Sequence, residues 1–248
     1  MKDALREHWP EYLIEAWALG MFMLSAGFCA TLLGSPASAV SRALPSQLLR
    51  NSVSGLAMGA TAIALMQSPW GKRSGAHMNP AVTLTFLRLG QLTPWQAFFY
   101  VTAQTLGGTL GVLLVAFLCG RAFTDPPVSY AATLPGNAGP KVAFVAEFGM
   151  SCGLMLVVLL MSRCEHQRRF TGFAAGGLVA LYVSFESPLS GMSMNPARTF
   201  ASAVASMQWH YFWIYVIAPL AGMLTAAQIV LPWRGASGKN SDTDPPTR

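Results

Sequence analysis

The sequence predicts an all-α membrane protein with six transmembrane helices and two re-entrant half-helices arranged as an inverted repeat. Three observations lead there. Of 248 residues, 53% are hydrophobic and only 10% charged, against about 25% charged in an average soluble domain. The apolar residues gather into six stretches on the scale of the ~20 residues that cross a bilayer. One decapeptide also occurs twice, as Ser74-Gly-Ala-His-Met-Asn-Pro-Ala-Val-Thr83 and Ser190-Gly-Met-Ser-Met-Asn-Pro-Ala-Arg-Thr199, with seven of ten positions matching.

The elements follow in order. A charged head (Lys2, Asp3, Arg6, Glu7) precedes the first span, Tyr12–Leu33. That stretch is too long for a signal-peptide core, and Phe28 before Cys29 argues against a lipoprotein site, so no cleavage is expected. The second span is Asn51–Gln67, and the first decapeptide follows it. The third is Trp95–Leu118, the fourth Val142–Met161 and the fifth Phe170–Phe185. The second decapeptide comes next, and then the sixth span, Tyr211–Leu231.

In each decapeptide Asn precedes Pro and Ala. Asn is a strong N-cap, and Pro suits the first helical position because its missing N–H would be unpaired there anyway. Each copy therefore starts a short helix inside apolar sequence. Such a polar start is tolerable only when buried in protein or lining a cavity. Two of them in equivalent places point to a pore at the repeat interface.

Three spans and a half-helix per half reverse the orientation of the second half. The inverted repeats are 11–118 and 142–231, within one transmembrane domain, 1–232. Each half carries a glutamate early in its first span, Glu15 and Glu147. Small residues at helical spacing (Gly55 and Gly59, Gly107 and Gly111, Gly172 and Gly176) permit close helix packing. Residues 233–248 have the polar composition of a disordered tail.

The net charge of +6 reflects topology rather than nucleic-acid binding. With the N-terminus inside, the inner segments carry eleven Lys and Arg residues and the outer ones four (Arg42, Arg50, Arg121, Lys141), Arg198 being intramembrane. Both termini are then cytoplasmic, in the cell membrane. The four cysteines Cys29, Cys119, Cys152 and Cys164 form no CxxC and no metal-ligand spacing, so they read as packing residues and no metal or cofactor is expected. No nucleophile–base set or phosphate loop is visible, which argues against an enzyme.

On the two Asn-Pro-Ala motifs, the arginine after the second only, and the paired glutamates, the chain resembles the aquaporin and aquaglyceroporin (major intrinsic protein) family from about Glu11 to Leu231. The resemblance implies a homotetrameric channel for water and small neutral solutes. Asn79, Pro80, Ala81, Asn195, Pro196 and Ala197 would meet at the pore centre. Arg198 would stand in an outer selectivity filter with Met58, Val183 and Met192. His77 would line the inner pore, and Glu15 and Glu147 would anchor the re-entrant loops.

The filter pattern is nearest to nodulin-26-like and related bacterial channels. Met58 and Val183 replace the aromatic and the histidine usual in strict water channels, so the ring is expected to be wider and more apolar. Glycerol is then the expected solute, with urea and neutral metalloid acids such as arsenite as further candidates. Against this, Thr199 and Ala203 resemble water channels, and Tyr215-Val216 is a mixture. Methionine is also flexible enough to close the gap. A strict water channel stays open as an alternative, as does a secondary transporter, since inverted repeats with broken helices occur there too. Glu186 either tunes the outer vestibule or faces headgroup water.

Overall fold

The computed structural model describes residues 1–231. The stretch 233–248, expected to be disordered, lies outside them. The described residues form helices α1 (Lys2–Gly34), α2 (Ala39–Ala43), α3 (Gln47–Gln67), α4 (Pro69–Ser74), α5 (Pro80–Arg88), α6 (Pro94–Cys119), α7 (Arg121–Thr124), α8 (Pro140–Arg163), α9 (Glu165–Arg168), α10 (Thr171–Ser190), α11 (Pro196–Ser206) and α12 (Ile214–Val230). Five helices (α1, α3, α6, α8, α10) have the length and hydropathy of membrane spans, and α12, with 17 residues, is a shorter apolar helix.

Local chemistry sets the helix starts. Pro69, Pro80, Pro94, Pro140 and Pro196 all stand in the first turn of a helix, where the absent N–H leaves nothing unpaired. Thr93 and Gln96 close a reciprocal capping box in front of α6. Most spans run a few residues beyond their apolar stretches, because caps rather than hydropathy end a helix. The fifth continues past Pro188 to Ser190 instead of stopping at Phe185. The sixth starts at Ile214 rather than Tyr211, whose φ of 59° puts it in a left-handed turn that no helix can begin on.

The halves repeat one packing scheme. Helix α1 lies on α6 and α3; equivalently, α8 lies on α12 and α10. Helices α3 and α10 meet across the pseudo-two-fold axis. A Cβ on Gly59 would stand 2.6 Å from the Gly176 carbonyl oxygen, and one on Gly176 would stand 2.8 Å from the Gly59 carbonyl oxygen. Each glycine therefore makes room for the other's backbone. Gly59→Leu is expected to cost at least the ~1–3 kcal/mol of ordinary overpacking, read as lost monodisperse protein and a lower Tm in detergent.

Half-helices α5 and α11 have 9 and 11 residues, hence lengths of about 14 and 17 Å, roughly half of a ~30 Å hydrocarbon core. Each packs on spans of both halves, α5 on α6 and α12, α11 on α6 and α12. Two apolar clusters fill the interior: Met58, Met155, Met192 and Met223 on one side, and Leu19, Met23, Val112 and Phe123 on the other. The outer surface is apolar as well. Leu56, Leu110, Val145 and Phe185 are exposed, and Phe117 is 84% exposed. On helices of this length such a surface needs lipid to cover it.

Candidate functional site

Asn79 and Asn195 cap the two half-helices. The Asn79 side-chain oxygen accepts from Ala81 N at 2.8 Å, and that of Asn195 accepts from Ala197 N at 3.0 Å and Arg198 N at 3.2 Å. Their amide nitrogens then cross the pseudo-two-fold axis. Asn79 Nδ2 donates to the Met194 carbonyl at 2.7 Å, and Asn195 Nδ2 donates to the Met78 carbonyl at 2.6 Å. Each amide carries two N–H groups, so each has a second donor beyond this crossed pair. The N-terminal ends of α5 and α11 meet here, and their dipoles place positive potential at the meeting point.

The loops leading to these caps are built alike. Ala76 and Met78 have φ of 45° and 50°; Met192 and Met194 have 46° and 54°. Left-handed residues at alternate positions turn successive N–H groups to one side, as in an anion-binding nest. In both loops a buried glutamate fills that nest. Glu15 accepts from His77 N at 2.9 Å and Met78 N at 2.7 Å; Glu147 accepts from Ser193 N at 2.8 Å and Met194 N at 2.6 Å. Ser74 and Ser190 each give a hydroxyl to their glutamate at 2.8 Å. Peptide planarity turns the preceding carbonyls the opposite way, and Ala76, His77, Met192 and Ser193 all line the cavity. The glutamates' contacts are those of loop anchors.

Other anchors escaped the sequence reading. Tyr100 on α6 and Tyr215 on α12 donate to the Ser74 and Ser190 carbonyls, both at 2.7 Å. Gln104, one turn after Tyr100, donates to Glu15 at 2.8 Å and to Thr83 at 3.1 Å. The equivalent place in α12 is Pro219, which has no amide to give, so Glu147 holds three donors where Glu15 holds four. Thr83 also meets His77 Nδ1 at 3.1 Å, while the Thr199 hydroxyl accepts from Thr133 at 2.9 Å and shares a hydrogen bond with the Ser193 hydroxyl at 2.5 Å. Thr199 is therefore tied into the loop scaffold and does not line the cavity. Tyr100 and Tyr215 stand 115 positions apart, one short of the 116 between the decapeptides, so the repeat pointed near Tyr100 without fixing it. Gln104 and Thr133 had no such signal.

A cavity of about 1060 Å3 lies inside the molecule. Lys72, Gln91, Arg163, Arg168 and Arg169 line one end. Farther in come His77, Asn79 and Asn195; Met58, Val183, Met192 and Arg198 also line it, as does Ala131. Arg198 is steadied by its N–H to the Ala131 carbonyl at 3.0 Å. His77 stacks on Phe86 with ring centroids 4.8 Å apart, so it is both packed and lumen-lining. Glu186 does not line this cavity; its Oε2 is buried and without a hydrogen-bond partner among the described residues. Of the four cysteines, three are half-buried and Cys164 is exposed. No His, Cys, Asp and Glu cluster suited to a metal occurs among the described residues.

Known proteins are similar to this chain in sequence and fold. The family model described as Major intrinsic protein matches residues 6–230. Aquaporin NIP1-4 of Oryza sativa subsp. japonica is 36% identical over 174 residues, 69% of this chain and 61% of that protein. Probable aquaporin NIP7-1 of Arabidopsis thaliana is 37% identical over 175 residues, 68% and 59% of the two chains. The matched region thus spans about three fifths of the length of these plant relatives. The X-ray structure of the aquaglyceroporin from Plasmodium falciparum superposes with a TM-score of 0.73, covering 90% of this chain and 95% of that one. At 20% identity that likeness speaks to the fold alone. A family match over nearly the whole chain, six apolar helices and two facing half-helices lead to one conclusion: this multi-pass membrane protein belongs to the major intrinsic protein family.

Proposed function

We propose that this protein is a passive channel for water and small uncharged solutes, glycerol foremost, and that it excludes protons and ions. The observation that carries the reading is the crossed pair Asn79–Met194 and Asn195–Met78, set in a cavity that also passes Arg198. A water or hydroxyl at that crossing accepts from the spare amide donors and turns its oxygen toward the two positive helix ends. The same potential opposes cations. Coupled transport needs ionisable groups at a central binding site. Glu15 and Glu147 are held by backbone and side-chain donors and Glu186 does not line the cavity, which favours a channel over a transporter.

Met58, Val183, Met192 and Arg198 form the selectivity filter in this reading. Val183 offers no hydrogen bond and little bulk, leaving Arg198 as the polar edge for a solute with an apolar back. Lys72, Arg163, Arg168 and Arg169 share one mouth of the cavity, which supports placing that mouth in the cytoplasm of a cell-membrane protein. The plant NIP-type relatives are named aquaporins. A homotetramer is the assembly this family membership suggests.

Stopped-flow light scattering on proteoliposomes tests the reading with water, glycerol, urea and arsenite. Facilitated glycerol entry, non-saturating and independent of ion gradients, is expected. Rapid water flux with all three larger solutes excluded would instead assign a strict water channel. Val183→His narrows the ring and adds a donor. It is expected to cut glycerol entry by roughly 10–200-fold, the discrimination that small steric changes in a binding site supply, with water flux largely kept. Met58→Phe should act in the same direction.

A further inference from the structure

Six methionines line the cavity: Met58, Met66, Met78, Met155, Met192 and Met194. Packing alone accounts for a buried methionine such as Met23 or Met223, but not for thioethers facing a solute path. We infer that Met58 and Met192 are a peroxide-reactive pair whose oxidation to the sulfoxide closes the pore to solutes larger than water. The inference rests on the proposed filter.

Access comes first. Met58 is 4% exposed and Met192 7%, and both pack in one apolar cluster with Met194 and Val183. What remains open of them faces the lumen, so an oxidant meets them only by entering the pore. A hydroperoxide of water's size and neutrality, hydrogen peroxide above all, fits that route; a charged oxidant would have to lose its hydration among apolar walls.

The chemistry is closed in itself. A sulfur lone pair attacks one peroxide oxygen, and the O–O bond breaks as the S–O bond forms. The proton carried by the transferred oxygen moves to the departing one, which leaves as water. Sulfur loses two electrons and peroxide gains them. A flexible apolar side chain becomes a polar one with a strong acceptor. Arg198 gives one N–H to Ala131, and its guanidinium has five in all, so donors remain for the cavity it lines. A sulfoxide oxygen in that cavity takes one of them. The side chain is then held across the lumen, and the solute loses its polar edge.

The test uses full-length protein in proteoliposomes, treated with hydrogen peroxide that is then removed with catalase. Water and glycerol fluxes are measured before and after, and oxidised methionines are located by peptide mass spectrometry. Met207, 75% exposed on the outer surface, reports that the reagent acted. Untreated vesicles test the channel reading itself: no flux above protein-free vesicles would overturn both. If untreated protein passes water but not glycerol, the filter reading fails and the inference is overturned with it. Each variant is normalised to its own untreated flux. The expected result is oxygen on Met58 or Met192 and a roughly tenfold fall in glycerol flux, equivalent to a barrier raised by about 1.4 kcal/mol. The double variant Met58→Leu/Met192→Leu, of similar volume and not oxidisable, is expected to keep its flux. The inference is overturned if both thioethers survive a dose that oxidises Met207. It is overturned equally if they are oxidised with flux unchanged, or if the double variant closes as the wild type does.

Discussion

Glu15→Ala is expected to give the largest loss of folded protein of any single substitution in the re-entrant loops, larger than Glu147→Ala. Glu15 accepts from His77 N, Met78 N, Ser74 Oγ and Gln104 Nε2, all between 2.7 and 2.9 Å. Removing it orphans four donors that have no bulk water beside them. Each orphaned buried group costs about 1–3 kcal/mol, partly recovered where cavity water can reach it. Glu147 satisfies three donors, so its removal orphans one fewer. The left-handed residues Ala76 and Met78 add to the effect, because such backbone costs about 1–3 kcal/mol per residue and persists only while its surroundings hold it. Thermal melts in detergent check the order: Glu15→Ala lowest, Glu147→Ala next, both well below wild type. Glu15→Gln, which keeps one acceptor oxygen, should fall between Glu15→Ala and wild type. A Glu15→Ala protein of normal Tm with changed solute preference would show that the carboxylate acts on the permeating solute rather than on the loop.

The second large effect is expected at Arg198. Its guanidinium is the only formal positive charge among the four residues proposed as the filter, and Arg198 lines the cavity. A cation about 4 Å away feels roughly 4 kcal/mol of repulsion at an effective dielectric near 20. Arg198→Ala removes that and leaves only the two helix ends to oppose cations. Proton or small-cation leak is therefore expected to rise by at least about tenfold, a barrier change of ~1.4 kcal/mol, while neutral-solute flux continues. A pH-sensitive dye inside proteoliposomes, driven by a potassium diffusion potential, measures it. Arg198→Lys keeps the charge and should stay tight. The Ala variant also loses the N–H to Ala131, so its fold is to be verified by a melt before leak is scored. A folded Arg198→Ala channel with no added leak would remove Arg198 from the filter.

Much of the site could be read without coordinates because its chemistry is local. The cap of Asn79 on Ala81 and that of Asn195 on Ala197 reach only two residues along the chain. Asn-Pro-Ala therefore specifies a helix start wherever it is placed. The repeat, together with the odd number of spans per half, implies that the two starts face each other. Span ends were read less well. Hydropathy registers where apolar residues stop, whereas helices end at caps and at left-handed residues such as Tyr211.

What the sequence determined by itself is thus the class of protein, the two half-helix starts and the residues that carry charge into the membrane: Glu15, Glu147 and Arg198. These are fixed by composition and by bonds between near neighbours in the chain. Tertiary structure alone decided the partners. Asn79 meets Met194, Gln104 completes the Glu15 site, Ala131 holds Arg198, and Thr133 and Ser193 draw Thr199 into the scaffold. Apart from the Ser193–Thr199 contact, each of these joins segments far apart in sequence. Which side chains meet there depends on the rotation and register of packed helices, set by close approaches such as that of Gly59 to Gly176, and no local pattern encodes that register.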